Sequence, residues 1–327
     1  MNHHPVPPRK LDAKHFRKRL LVWFDRYKRE LPWRRDRDPY RIWLSEIMLQ
    51  QTRVAAVQDH YLRFLRRFPT IERLAVARES SVLALWSGLG YYRRARMLHA
   101  AARKLVTEFA GKFPENAAGL RVLPGVGRYT AAAIASIALD EPLAVVDGNV
   151  ERVLQRLFAK PLAGEAYWQA AQDLLDSQRP GDFNQALMEL GATLCLPRQP
   201  KCLLCPVADF CAARGELPAA TKANRQGKRE IHYALSCRDD SVFLVKRPAT
   251  VSLMPGMWEL PEIPAIDADG KAHLKLRHSI TVTDYLVRVV PGMAAATAEG
   301  RWIPTSRLSK LPLTGLARKI LRAAHVI

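Results

Sequence analysis

Nowhere in the 327 residues is there an uninterrupted apolar run approaching the roughly 18 residues that a membrane span requires. The opening Met1-Asn-His-His-Pro-Val-Pro-Pro-Arg-Lys has no apolar signal core, so the expectation is an intracellular, cytoplasmic protein with no membrane role. Internal repeats and low-complexity tracts are absent, and the 48% apolar content is too high for a disordered chain. Acidic residues are scarce, 31 against 51 Lys and Arg, a net charge of +20 that calls for a polyanionic partner. The excess is uneven. Residues 1–104 carry 24 basic and 9 acidic side chains, residues 105–230 balance, and the remainder adds a net +5. A basic face in the first third, and not a uniform coat, is the consequence.

Strand signals are nearly missing before Cys211. From Lys14 onward the pattern is helical, with helices expected at 14–30, 38–63, 71–77, 80–87, 91–109, 117–122, 129–138, 147–159, 164–176 and 182–194. Residues 212–229 are polar and basic without apolar period and read as a linker. Beyond them, Tyr233–Cys237, Val242–Lys246, Trp258–Leu260 and Ser279–Val290 alternate or are β-branched, with helix expected only near Leu313–Ala324. The organisation expected is an all-α domain over 1–211, a linker, and a small α+β domain over 230–327.

Five cysteines are few, and four of them crowd into Cys195-x6-Cys202-x2-Cys205-x5-Cys211. In a reducing compartment that grouping points to a metal site before disulfides. The spacing differs from paired C-x2-C zinc knuckles and suits the four thiolates of a [4Fe-4S] cluster, with zinc the alternative. Arg198 and Lys201 would present charge beside it. The fifth, Cys237, sits in an apolar strand and is expected to be a buried structural thiol.

Leu123-Pro124-Gly125-Val126-Gly127 joins two helical segments, about 117–138. Gly125 and Gly127 allow a tight turn whose backbone N–H groups can clamp a phosphate at a helix start; a plain αα-turn is the alternative. Asp147 stands at a helix start, where it is either an ordinary N-cap or a carboxylate that stabilises a sugar cation. Glu46 lies in the nearly apolar Ile42-Trp43-Leu44-Ser45-Glu46-Ile47-Met48-Leu49, where desolvation should raise its pKa toward that of a general acid, unless an arginine pairs with it or it turns to solvent. Two carboxylates in unlike surroundings are what glycosidic cleavage uses.

Taken in order, Leu31-Pro32-Trp33-Arg34, Trp43 to Thr52, Gly88-Leu89-Gly90-Tyr91-Tyr92, Leu123 to Thr130, Val146 to Val150, Phe183 to Leu187 and the four cysteines closely resemble the MutY-type adenine DNA glycosylases of the endonuclease III helix-hairpin-helix superfamily. The resemblance is dense over Leu31–Cys211 and loose beyond. It implies a monomeric base-excision-repair enzyme, nucleoid-associated, that flips adenine mispaired with 8-oxoguanine or guanine out of double-stranded DNA and hydrolyses it from its sugar. By motif position Glu46 would protonate the adenine and handle the water, Asp147 would stabilise or capture the oxocarbenium ion, and Tyr129 and Asn149 would support them. Trp33, Arg34 and Gln185 would line the adenine pocket, and Gln51 and Tyr91 would enter the base stack. Tyr129 stands where strand-cleaving relatives have a Schiff-base lysine, which implies a monofunctional enzyme. Val242 to Pro248 and Gly256 to Pro261 resemble the family's Nudix-like mismatch-sensing domain, but the pyrophosphohydrolase signature is missing between Pro261 and Arg277. The sensing histidine of the family is missing too: after Arg277-His278-Ser279 the chain reads Ile280-Thr281-Val282, so preference for 8-oxoguanine is expected to be weaker, or supplied by His278 or Ser279. The alternatives are a glycosylase for another base, such as thymine in a T·G mismatch, a non-catalytic mismatch binder, and an iron-sulfur electron carrier.

Overall fold

The computed structural model describes residues 11–160, 162–215, 227–265, 274–280, 283–292 and 299–327. Among them twelve helices form: α1 (Ala13–Tyr27), α2 (Pro39–Leu49), α3 (Val54–Arg67), α4 (Ile71–Ala75), α5 (Glu79–Trp86), α6 (Arg93–Phe109), α7 (Ala117–Leu120), α8 (Arg128–Ala138), α9 (Gly148–Phe158), α10 (Glu165–Leu174), α11 (Pro180–Thr193) and α12 (Gly315–Ala323). The strands are β1 (Gly227–Leu235), β2 (Cys237–Arg238), β3 (Ser241–Lys246), β4 (Trp258–Glu259), β5 (Glu262–Ile263), β6 (Leu274–Ile280), β7 (Thr283–Pro291) and β8 (Gly300–Pro304). Helices therefore come first and the sheet-bearing region last, as the patterning implies. No described helix is long and apolar enough to cross a membrane.

Contacts group the chain into two units, 1–51 with 104–220 and 52–103 with 221–327. This differs from a single boundary after Cys211, because the helices of 52–103 are tied to the C-terminal region, one bond running from the Arg96 guanidinium to the Pro255 carbonyl. The chain crosses from one unit to the other at a break that periodicity does not reveal. One helix is expected from Asp38 to about Arg63; instead α2 stops at Leu49 and α3 starts at Val54. Gln51, at φ +55°, takes the left-handed conformation that ends a helix, although buried Met48, Val57 and Tyr61 keep the apolar period running across the gap.

In the first unit, helix starts follow their caps. Asp12, Asp38, Asn116 and Asp147 each accept first-turn N–H groups, and Pro39 occupies the first turn of α2. Around α11 pack α1, α8 and α9, closing a core in which Phe16, Phe24, Leu154, Phe183 and Leu190 are buried. Removing a side chain such as Phe183 from water contributes roughly 2–3 kcal/mol. Two glycines bring α11 into backbone contact with its neighbours. A Cβ on Gly181 would lie 2.6 Å from the Ser136 carbonyl oxygen in α8, and one on Gly191 would lie 2.6 Å from the Asn149 Cβ in α9.

In the second unit one sheet has the order β5-β1-β7-β6, with β1 and β7 parallel, and the other has β2-β3-β4 with β8 also on β3. Leu316, Ile320 and Leu321 of α12 share a core with Leu244 and Val287 from the two sheets. Three expectations need correction. Ser279–Val290 is not one strand: β6 and β7 pair antiparallel, Ile280 opposite Thr283. Residues 227–229, placed in the linker by their polarity, belong to β1 because they pair with Thr283–Tyr285 of β7; residues 216–226 of that linker lie outside the described residues. Cys237 is exposed, not buried, since β2 is a two-residue edge strand.

Gly191→Ala should cost about 1–3 kcal/mol through overpacking against α9, whereas Gly148→Ala, with open space around its Cβ position, should cost less than about 0.5 kcal/mol. Urea denaturation of the two variants checks this, and equal midpoints would contradict the close approach.

Candidate active site

All but one of the expected catalytic and pocket residues lie in the first unit, together with both hairpin glycines and the four clustered cysteines. Helix α2 buries eight of its eleven residues, from Tyr40 and Ile42 to Met48, and Glu46 is among them at 7% exposure. Its Oε2 accepts a hydrogen bond of 2.9 Å from the Tyr129 hydroxyl. Burial raises the Glu46 carboxyl to about 7; the Tyr129 bond opposes the rise, the Asp147 carboxylate adds to it, and the Arg34 guanidinium opposes it. Near neutral pH the group is thus divided between an acid that donates and a carboxylate that accepts. Burial, then the nearby carboxylates, holds Tyr129 well above the ordinary phenol value, so it remains an O–H donor. Met188 Sδ is 3.5 Å from the same hydroxyl.

Asp147 caps α9. One carboxylate oxygen accepts the N–H groups of Asn149 and Val150 at 2.9 and 2.8 Å, and the other accepts the Asn149 side-chain amide at 2.8 Å. Capping and a functional carboxylate are compatible here: the cap holds an anion, half-buried, at the positive end of a helix. The segment leading into it is pinned by buried Asn184, which accepts the Val145 N–H and donates to the Leu143 carbonyl and the Ser136 hydroxyl.

Arg34 and Gln185 meet. The Arg34 Nε donates to Gln185 Oε1 at 3.0 Å, while Nη2 donates to Glu189 Oε2 at 2.9 Å. With its oxygen engaged, the Gln185 amide retains an N–H donor for a ligand. Glu189 is 1% exposed and also takes Arg29. Trp33, buried in the short turn before Arg34, fixes where that side chain begins. Gly125 adopts φ +77°, and exposed Gly127 precedes α8, whose first turn no side chain caps, leaving backbone donors for an anion.

Gln51 follows α2, exposed and at positive φ. Tyr91 belongs to the second unit, 48% exposed, with φ +48° between Gly88 and Gly90 on one side and α6 on the other. A non-glycine residue in this conformation costs about 1 kcal/mol or more, so both side chains are held outward against strain. Arg94 donates to the Leu89 and Gly90 carbonyls and stacks 5.5 Å from the Tyr91 ring.

The four cysteines occupy a loop after α11, each partly buried. Arg156 donates to Cys195 Sγ at 3.3 Å and to the Leu196 and Pro197 carbonyls, and Arg152 links the Cys195 carbonyl to Asn149 Oδ1. Burial, with the other sulfurs nearby, pushes the Cys205 thiol up to about 12, so this sulfur becomes a thiolate at neutral pH only beside a cationic centre. Glu189, Arg29, Asn184, Arg152 and Arg156 escape sequence reasoning. A signal existed for Glu189, a lone charge one helical turn after Gln185 within the apolar stretch from Ala186 to Ala192.

Because folding holds Glu46 near 7 against about 4.5 when unfolded, its ionisation opposes folding: the cost is nil below the unfolded value, grows between the two, and is complete above pH 7. Glu46→Gln should therefore stabilise the protein at pH 8 by about 2–3 kcal/mol and leave stability at pH 4 unchanged. Denaturation at both pH values measures it, and a pH-independent difference would contradict the raised carboxyl.

Residues 44–172 match the family described as HhH-GPD superfamily base excision DNA repair protein, and residues 195–211 match the iron-sulfur binding domain of endonuclease III. Cys195, Cys202, Cys205 and Cys211 are thereby the ligands of a [4Fe-4S] cluster. The adenine DNA glycosylase of Mus musculus is 41% identical, over 81% of this chain and 64% of that protein, and that of Homo sapiens is 51% identical, over 61% and 39%. The chain thus spans less than two thirds of the length of these relatives. A solved thermostable thymine-DNA glycosylase is 32% identical, with a TM-score of 0.58 over 62% of this chain and 96% of that one. An endonuclease III trapped covalently on DNA, 22% identical with a TM-score of 0.54, shares the fold. The chain belongs to the HhH-GPD superfamily of base excision DNA repair proteins.

Proposed function

We propose that this protein is a DNA glycosylase that extrudes adenine mispaired with 8-oxoguanine or guanine and hydrolyses its N-glycosidic bond. The observation that carries the reading is the buried Glu46 carboxyl, near 7, hydrogen-bonded to Tyr129 and within electrostatic reach of Asp147. Glu46 in its acid form protonates the departing adenine, which leaves as a neutral base; as a carboxylate it then accepts a proton from the attacking water. Asp147, anionic on its cap, faces the oxocarbenium ion, with Asn149 holding its second oxygen. Arg34 and Gln185 read the base edge beside Trp33. Gly125 and Gly127 take the DNA backbone, while Gln51 and Tyr91 fill the stack that the base vacates. The net positive charge of the first third draws in the duplex and makes binding steeply salt-dependent.

Tyr129 carries no amine, so no Schiff base forms and the enzyme is monofunctional. In the division of labour proposed here, residues 1–211 carry the base chemistry and 230–327, a Nudix-like domain, sense the opposite base. In that region the Ser279 hydroxyl is engaged by Asp284, and His278 on β6 is held below its ordinary pKa by burial and then by Lys319. Thr281 and Val282 of the expected sensing loop lie outside the described residues. Neutral His278 is the remaining candidate reader, and a modest 8-oxoguanine preference follows. The protein works as a monomer in the nucleoid-bearing cytoplasm.

Duplexes with adenine opposite 8-oxoguanine, guanine, cytosine or thymine, followed by alkaline cleavage, should show release opposite the first two. The rate should fall about tenfold per pH unit above 7 as Glu46 ionises. Glu46→Gln should lose about 10²–10⁴-fold, and borohydride should trap no covalent adduct. The thymine-DNA glycosylase likeness favours one rival, so a T·G duplex belongs in the same series; cleavage there alone would replace adenine by thymine as the substrate.

A further inference from the structure

The loop that carries Tyr91 is fastened twice, from its own helices and from the C-terminal region. On its own side, Trp86 Nε1 donates to the Gly90 carbonyl, and Arg94 spans Leu89, Gly90 and the Thr52 hydroxyl. From the C-terminal side comes a single backbone carbonyl, that of Leu313. It accepts the Ser87 hydroxyl at 2.7 Å and the Tyr92 hydroxyl at 3.0 Å, and Ser87 Oγ in turn accepts Arg318 Nε at 3.1 Å. Every hydroxyl proton has an acceptor, and the site is closed to water: Ser87 is 4% exposed, Tyr92 3% and Leu313 0%.

Leu313 cannot drift independently of the sheets. The Trp258 N–H of β4 donates to the Pro312 carbonyl, the Thr314 N–H donates back to the Trp258 carbonyl, and Thr314 caps α12, which carries Arg318 on its first turn. A shift of β4 or α12 therefore moves the acceptor on which the two ends of the Ser87–Tyr92 loop hang. Interior hydrogen bonds with full partners hold position because breaking one strands a buried polar group. Mere docking of a domain needs no such grip on a loop whose tip is both strained and exposed.

We propose that Leu313 and Arg318 are positioning residues for the Tyr91 loop, so that the C-terminal region sets how far Tyr91 enters the base stack and thereby couples sensing of the opposite base to extrusion of the target base. This rests on the reading of Tyr91 as a stack-filling residue. Leu313 acts through its main chain, so the side chains of Ser87, Tyr92 and Arg318 are the handles for a test.

The experiment uses the full chain and a duplex with adenine opposite 8-oxoguanine and 2-aminopurine beside the adenine, whose fluorescence rises when the stack opens. Ser87→Ala and Arg318→Met together should reduce that rise about fivefold and slow single-turnover adenine release about tenfold. Release from single-stranded DNA, which has no stack to open, should stay within twofold. Tyr92→Phe, which deletes one oxygen and keeps the ring, should show the same contrast in smaller measure and guards against a folding defect in the double variant. Unchanged fluorescence and rate would overturn the proposal, and so would equal slowing on duplex and single strand. Failure of the unaltered protein to release adenine from any substrate would instead sink the glycosylase reading, while the fluorescence contrast would still judge the contact.

Discussion

Keeping the Glu46 carboxyl out of water is the constraint around which the helical unit is arranged. A carboxyl that keeps its proton near neutral pH has to be shielded from water, yet a buried carboxyl without a partner is costly, and Tyr129 supplies one hydrogen bond without supplying a charge. A full ion pair with Arg34 would abolish the rise. That guanidinium is committed elsewhere, to Glu189, Gln185 and the Arg29 carbonyl, and acts on Glu46 only at a distance. Glu189 thus settles more than local stability. By absorbing two arginines it leaves the neighbouring carboxyl its acid form.

The second carboxylate is held in place by opposite means. Asp147 is surrounded by three N–H donors at a helix start, and α11 sets that start through the Gly191 contact with Asn149. Arg152 extends the same linkage to the cysteine loop, so the cluster and the cap share a helix and a guanidinium. Arg152 also bonds the Gly191 carbonyl, so one side chain of α9 is held by the cysteine loop and by α11 together.

Much of this was legible in the residues. Caps, the Gly125 turn, the change from helix to strand and the cysteine spacing are local signals. Glu46 stood out because a charge inside Ile42–Leu49 needs an explanation. What stayed hidden depends on partners distant in sequence. The Glu189 clamp needs Arg29 and Arg34 from some 150 positions away, and the polar residues 227–229 become strand only because β7 lies beside them. The break at Gln51 was concealed by an apolar period that continues through it. Cys237 looked buried by its neighbours, and only the shortness of β2 puts it at an edge.

The grouping of residues 52–103 with the C-terminal region also bears on how the protein is made. A chain emerging from the ribosome completes neither unit early. The first waits for α11 and the cysteine loop, and the helices of 52–103 wait for Leu313, more than 200 residues later, before Ser87 and Tyr92 find their acceptor. Until then those helices offer apolar and polar surface with no partner, a state open to aggregation or chaperone capture. Ordering of the loop that carries Tyr91 is thereby deferred until α12 has been made, some 220 residues after the loop itself.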